Sequence, residues 1–125
     1  MVLAALTAWG GTAVAADYGP SKAYAEVRAL DKVAARTELL TVPVGQTVTF
    51  RALRITVDAC RERPADRNPE AVAFLKIVEV EAEQPERPVF TGWMFAAAPA
   101  VSAMEDGVYN VWLIGCSDEA PAKDG

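Results

Sequence analysis

The sequence predicts an all-β fold, a small β-sandwich or barrel of six to seven mostly antiparallel strands with one disulfide. Three observations support this prediction. Apolar residues recur at every second position in several short runs, turns rich in proline and glycine separate these runs, and no long amphipathic helical pattern occurs. Short alternating strands at close spacing are typical of sandwiches and small barrels.

The first two strands are predicted to form a hairpin. Residues 24–30 alternate between alanine or valine on one face and charged residues on the other, and a turn at 31–32 leads to a second run at 36–42. Proline and glycine at 43–46 then interrupt the pattern. This spacing favours two antiparallel strands that enter the sheet together.

The middle of the domain is predicted to contain two further strands and a surface loop. Apolar residues at 47–50 and 53–59 follow a period of two. Residues 61–70 read RERPADRNPE, a composition that predicts an exposed loop. Residues 71–80 are apolar nearly throughout, which predicts a strand covered on both faces, with a helical start as the alternative.

The last third of the domain is predicted to contain two aromatic-rich strands. The first spans 89–95 (VFTGWMF) and the second 108–116 (VYNVWLIGC). Between them, residues 96–104 are small and are compatible with either a loop or one helical turn, and the Glu105-Asp106-Gly107 sequence predicts a turn. These strands complete a single β-domain over residues 24–116.

Sequence outside the domain indicates export. Residues 1–15 form an uncharged apolar run ending in the small residues Ala13-Val14-Ala15, which predicts a signal peptide, although its usual positively charged start is missing. A buried helix of the fold and a membrane anchor are the alternatives; the run is shorter than the roughly 20 residues of a membrane span. Residues 16–23 are expected to be a flexible lead-in, and 117–125 a disordered tail.

The composition excludes several classes of function. The chain has 125 residues, of which 52% are apolar, and 12 Lys and Arg against 17 Asp and Glu give a net charge of −5. This size indicates one domain, and the negative charge disfavours nucleic acid as a partner. The absence of histidine removes the usual general base and the commonest metal ligand. We therefore expect neither an enzyme nor a cofactor-binding protein.

The two cysteines suggest one disulfide. Cys60 and Cys116 are 56 positions apart, which matches neither a Cys-x-x-Cys motif nor a four-ligand zinc site. In an oxidising compartment a bridge between them is the simplest interpretation, and two buried thiols are the alternative. If alternation continues unbroken from Leu53, Ile55 and Val57, Cys60 is on the other face of the strand from these apolar residues. Either a bulge turns Cys60 inward or both faces of that strand are partly covered.

Acidic residues offer weak candidates for chemistry. Glu79, Glu81 and Glu83 recur at a period of two and suggest a calcium site, but a solvated face is the favoured interpretation because calcium takes six or more oxygens. Glu105 and Asp106 suggest a carboxylate pair, but adjacent acids in a turn are normally only a turn. The sequence therefore predicts no catalytic residue and no metal site.

Two groups of residues are candidates for a protein interface. One is the aromatic set of the last two strands, because Trp, Met and large aromatic residues are enriched at interface centres; the other is the arginines of the 61–70 loop, which could grip an anionic group. The candidates are Trp93, Met94, Phe95, Trp112, Arg61, Arg63 and Arg67. Core packing for the aromatics and a solvated loop for the arginines are the alternatives.

Several motifs occur in a fixed order along the domain. They are Leu30-Asp31-Lys32, Val42-Pro43-Val44-Gly45, Leu53-x-Ile55-x-Val57-x-x-Cys60-x-x-Arg63-Pro64, Phe90-x-Gly92-Trp93-Met94-Phe95-Ala96, and Tyr109-x-Val111-Trp112 with Cys116. In this order they resemble the bacterial family catalogued as domain of unknown function 2155 (DUF2155). The resemblance implies a small exported domain and supplies no catalytic residue. Members tend to be encoded beside an accessory subunit of the proton-pumping NADH dehydrogenase, which implies an accessory role on the outer side of that complex.

Together these observations predict a non-catalytic periplasmic domain that contacts an envelope or membrane-complex protein, with respiratory NADH dehydrogenase as one candidate. A small-ligand or cell-wall binder is the alternative, and a pocket lined by Trp93 or Trp112 would favour it. A hydrolase that uses carboxylates alone is the least favoured interpretation. No membrane span in the domain and no cofactor are expected.

Overall fold

The protein folds into two antiparallel sheets of four strands each. The structure is a computed structural model that describes residues 19–64 and 70–119. One sheet has the order β2-β1-β8-β7 (sheet I) and the other the order β3-β4-β5-β6 (sheet II). The elements are β1 Tyr24–Asp31, β2 Arg36–Pro43, β3 Thr47–Phe50, β4 Leu53–Glu62, β5 Ala71–Glu79, β6 Arg87–Phe95, α1 Pro99–Ser102, β7 Met104–Glu105 and β8 Tyr109–Ser117. The predicted all-β fold is confirmed; the strand beyond the expected seven is the two-residue β7.

The predicted hairpin is confirmed as β1 and β2, which pair from Tyr24 with Pro43 to Asp31 with Arg36. The inward residues Ala25, Val27 and Ala29 are fully buried. Their regular alternation is what places one face of β1 in the core.

Sheet II is a meander in which β4 and β5 are the central strands. Leu53, Ile55 and Val57 of β4, with Leu75 and Ile77 of β5, are fully buried between the sheets. The expectation that β5 is covered on both faces holds only near its start: Val72 on the outer face is buried, whereas Lys76 on the same face is exposed. β5 is therefore a half-covered strand.

A β-bulge decides the direction of Cys60. The β4–β5 register shifts between Val57 and Ala59, so Asp58 is an extra residue without a partner. One extra residue reverses the parity of the strand after it. Cys60 consequently points into the core and is 1% exposed, which selects the bulge from the two alternatives left by the sequence.

The predicted disulfide is present and joins the two sheets. Cys60 in β4 is bonded to Cys116 in β8, with Cα atoms 5.8 Å apart. Glu62 supports the same end of the core, because its Oε1 accepts a hydrogen bond of 2.8 Å from the Cys116 N–H. The bridge thus ties the middle of the chain to its last strand.

Residues 19–22 lie along the end of β4, where β3 no longer pairs. The Lys22 N–H donates to the Cys60 carbonyl at 2.8 Å, and Ser21 forms a bridge with Arg61. Gly19 has a φ of 83°, and a Cβ there would lie 2.6 Å from the Glu62 carbonyl oxygen, so this close approach requires glycine.

Residues 96–104, which were compatible with a loop or a helical turn, contain the single helical turn α1. The predicted signal peptide and residues 16–18 of the lead-in lie outside the described residues, as do residues 65–69 of the predicted loop and the end of the tail.

Candidate protein-binding surface

The candidate functional site is an aromatic surface on the outer face of sheet II. Trp93 and Phe95 of β6 pair with Phe74 and Val72 of β5, respectively. We call Trp93, Phe95 and Phe74 the aromatic surface, since Val72 is buried. Because side chains alternate across a strand, all four lie on the face that points away from sheet I.

Met94 lies between Trp93 and Phe95 but points the other way. It pairs with Ala73, is fully buried and belongs to the core. The prediction that Met94 contributes to an interface is therefore wrong. Trp93 by contrast is 46% exposed, so the side chains of these two neighbours point to opposite faces of β6.

Phe74 holds Trp93 in one orientation. The two rings meet edge to face, with centroids 5.3 Å apart and an interplanar angle of 76°. This arrangement is favoured by the aromatic quadrupole and contributes about 0.5–1.5 kcal/mol beyond the area it buries. A half-exposed indole that is already ordered loses little side-chain entropy when a partner covers it.

Phe74 is not among the residues that the sequence predicts for an interface. The signal that could have identified it is the apolar run at 71–80, in which both parities are hydrophobic. A strand with one buried face needs apolar residues only at every second position. Apolar residues at the positions in between therefore indicate that the second face is also covered or binds a partner.

One compensated charge pair lies beside the aromatic surface, and another lies at the far end of β5 and β6. Lys76, next to Phe74 on the same face of β5, forms an ion pair of 3.1 Å with Asp58. Arg87 at the start of β6 pairs with Glu79, which has the inward parity of Leu75 and Ile77, and the hydrogen bond and negative charge of Glu79 raise the pKa of the Arg87 guanidinium. The exposed Lys76–Asp58 pair contributes little stability.

The three candidate arginines do not form one anion-binding cluster among the described residues. Arg61 is directed to the incoming chain: its Nε donates to the Gly19 carbonyl at 2.9 Å and its Nη1 to Ser21 at 3.1 Å. Arg63 is half-buried, and its backbone N–H donates to the Glu70 carbonyl at 3.0 Å. Arg67 lies outside the described residues.

Trp112 is on the outer face of the other sheet. It pairs with Arg28 of β1 and is half-buried, so it does not share a surface with Trp93. It lines a shallow cleft of about 230 Å³ together with α1, Glu105 and Asn110. Small-molecule sites usually measure about 300–1,000 Å³, so this cleft is small for a ligand site.

The candidate carboxylates have local structural partners. Glu79 binds Arg87, and the Asp106 Oδ1 accepts hydrogen bonds from the N–H groups of Val108 at 2.8 Å and Tyr109 at 2.7 Å. Within residues 19–64 and 70–119 no cluster of three acidic or cysteine side chains is placed to hold a metal ion. In the same residues, no helix has the length and hydrophobicity to cross a membrane.

Comparison with known proteins identifies a family. The family profile described as "Uncharacterized protein conserved in bacteria (DUF2155)" matches residues 25–116. An uncharacterised protein of Rickettsia prowazekii (strain Madrid E), RP359, is 22% identical over 91 residues. That alignment covers 73% of this chain and 59% of RP359, so the chain spans less than two thirds of this relative. No solved structure matches the chain.

Proposed function

The chain belongs to the bacterial family DUF2155, and from this premise we propose that it is an exported, non-catalytic domain that binds an envelope protein through its aromatic surface. The observation that carries the proposal is the Trp93 side chain, 46% exposed and held against Phe74 on the outer face of sheet II. Tryptophan at the centre of an apolar surface is the residue most enriched among binding hot spots.

The burial pattern supports binding rather than simple packing. The core between the sheets is completed by Met94 and its neighbours, and Trp93 is not needed to fill it. Covering a large apolar side chain contributes about 1.5–3 kcal/mol when it is removed from water. A partner that covers Trp93 and Phe74 would gain this energy at low entropic cost.

Two features support export. The disulfide between Cys60 and Cys116 persists in oxidising compartments and is rare in the cytosol. The uncharged apolar start with Ala13-Val14-Ala15 has the features of a cleavable signal peptide. Both features support a periplasmic location, where the outer side of respiratory NADH dehydrogenase is one candidate partner.

The second candidate function is a small-ligand or cell-wall binder, for which the cleft beside Trp112 is the relevant observation. Its volume of about 230 Å³ would accommodate only a small group. This cleft lies on sheet I, away from the aromatic surface, so the two candidates can be separated by mutation.

The deciding experiment compares Trp93→Ala with Leu39→Ala and Trp112→Ala in the full-length tagged protein, purified from mild-detergent envelope extracts of its host. Leu39 is the matched control, because it is 50% exposed on the outer face of sheet I. We expect wild type, Leu39→Ala and Trp112→Ala to recover the same partner, identified by mass spectrometry.

We expect Trp93→Ala to lose that partner while remaining folded, with an unfolding temperature lowered by only about 4–8 °C, the shift that a loss of about 1 kcal/mol produces in a domain of this size. Recovery of NADH dehydrogenase subunits would identify the complex. An equal recovery by all four proteins, or a loss only with Trp112→Ala, would contradict the aromatic surface as the binding site.

A further inference from the structure

β6 is an edge strand with backbone groups that point away from its sheet. Among the strands of the described residues, β6 pairs only with β5. Just after β6, the Ala96 N–H donates to the Ala71 carbonyl at 2.9 Å, so the backbone groups of Ala96 point towards β5. The Phe95 N–H instead donates to the Ser102 hydroxyl of α1 at 3.0 Å, on the opposite side. Because an antiparallel strand alternates, Thr91, Trp93 and Phe95, which lie after the register shift of β6, direct their backbone groups outward.

This alternation leaves Thr91 and Trp93 with open backbone groups. Among the residues that the structure describes, no hydrogen bond reaches the outward N–H or C=O group of either residue. The open stretch is bounded by Ser102 at Phe95 and by the register shift near Val78. An unpaired row of donors and acceptors on an edge is a template for another strand.

The open stretch of β6 lacks the features that usually protect an edge. β6 begins with Arg87 and Pro88, but the rest of the strand, residues 89–95, contains neither charge nor proline. The other edges are protected differently: β3 has four residues, β7 has two, and β2 carries Arg36 and Glu38. Short length and charge are the common protections of sheet edges, and the stretch of β6 that borders the aromatic surface has neither.

We propose that β6 binds its partner by strand addition, in which an extended segment of the partner hydrogen-bonds to the backbone of Thr91 and Trp93. The proposal rests on the proposed function and specifies how the same surface is used. In such pairing, partner residues opposite Trp93 project onto the outer face beside its indole. The segment is therefore uncharged at alternate positions and carries β-branched or aromatic side chains there.

A second copy of this chain fits the edge less well. Two β6 strands paired antiparallel about Gly92 would place Phe95 of each copy near residue 89 of the other. α1, which binds Phe95 on the open side, would then meet residues 80–88 of the other copy. A single extended segment brings no such bulk against α1. This disfavours a β6–β6 dimer, and the occupant in our proposal is an extended segment of a different protein.

A peptide binding experiment tests the edge directly. The probe is a synthetic peptide of alternating threonine and valine with lysine at each end, added to isotope-labelled protein and followed by NMR. We expect shifts and slower hydrogen exchange at the Thr91 and Trp93 amides, with the Gly92 and Met94 amides, which face β5, already protected. A peptide with a central proline is the control. Absence of protection at Thr91 and Trp93, or equal effects of both peptides, would overturn the proposal.

Variants separate this proposal from the proposed function. Thr91→Pro removes one outward donor without removing a bond to β5, and Thr91→Ala is the matched control. In the envelope purification we expect Thr91→Pro to reduce partner recovery by about tenfold or more and Thr91→Ala to retain it. Loss with Trp93→Ala but not with Thr91→Pro would leave the aromatic surface in place and overturn strand addition. Retention by both variants would overturn both proposals. If Thr91→Pro fails to fold, the peptide experiment on the wild-type protein decides.

Discussion

Asp31 at the end of β1 and Arg51 in the turn between β3 and β4 form an ion pair that joins the two sheets, with Arg51 Nε 2.9 Å from Asp31 Oδ2. The carboxylate is buried, and its Oδ1 also accepts hydrogen bonds of 3.0 Å from the N–H groups of Val33 and Ala34. One side chain therefore shapes the first hairpin and anchors it to the other sheet.

We expect Asp31→Ala to destabilise the domain by about 2 kcal/mol, because it leaves two backbone donors and a guanidinium without their acceptor. Arg51→Ala should cost about 1 kcal/mol or less, since Arg51 is half-exposed and the carboxylate keeps its two amide bonds. Denaturant unfolding of both variants measures the difference. Equal losses would show that the ion pair, and not the turn, carries the stabilisation.

Loss of the disulfide should produce a larger effect. The bridge between Cys60 and Cys116 closes a loop of 56 positions, and the chain-entropy model gives about 4 kcal/mol for a loop of this size. We expect Cys60→Ala/Cys116→Ala to lower the free energy of unfolding by about this amount. Reductant should lower the unfolding temperature of the wild type and leave that of the double variant unchanged. A reductant effect on both proteins would contradict this interpretation.

The neighbours Met94 and Trp93 should respond differently to alanine. Met94→Ala removes a fully buried core side chain and should cost about 2–5 kcal/mol. Trp93→Ala removes a half-exposed ring and one edge-to-face contact, so we expect a loss of about 1 kcal/mol. The two unfolding curves test the alternation of β6. A larger loss for Trp93→Ala would mean that its ring belongs to the core.

The bulge at Asp58 should control disulfide formation. Deletion of Asp58 removes the extra residue and turns Cys60 to the outer face of β4, away from Cys116. We expect two free thiols in the deletion variant, measured by thiol titration of the purified protein. Asp58→Ala keeps the residue count and should keep the bridge. A disulfide in the deletion variant would show that the chain restores the register elsewhere.

Periodicity predicted most of the strands, because alternating burial leaves a direct trace in a sequence. β1 and the apolar face of β4 follow this rule. Periodicity is less informative where the residues on both faces of a strand are apolar. In 71–80 and 89–95, alternation does not say which of Phe74, Trp93 and Met94 faces the core.

The candidate interface was predicted only in part. Trp93 and Phe95 lie together on the aromatic surface, while Met94 is in the core, Trp112 is on the opposite sheet and Arg61 holds the incoming chain. Composition identified the large side chains that a partner could use. It contains no information on which strands become neighbours, so it could not group them.

By itself the sequence determined the all-β class, the hairpin and the family resemblance, because these depend on local alternation, turn residues and ordered motifs. Only the tertiary structure decided that Cys60 points inward, that Asp31 meets Arg51 and that Phe74 supports Trp93. Each of these depends on register and on which strands lie side by side. A shift of one residue in pairing reverses every side chain beyond it, and no local pattern in the chain records that shift.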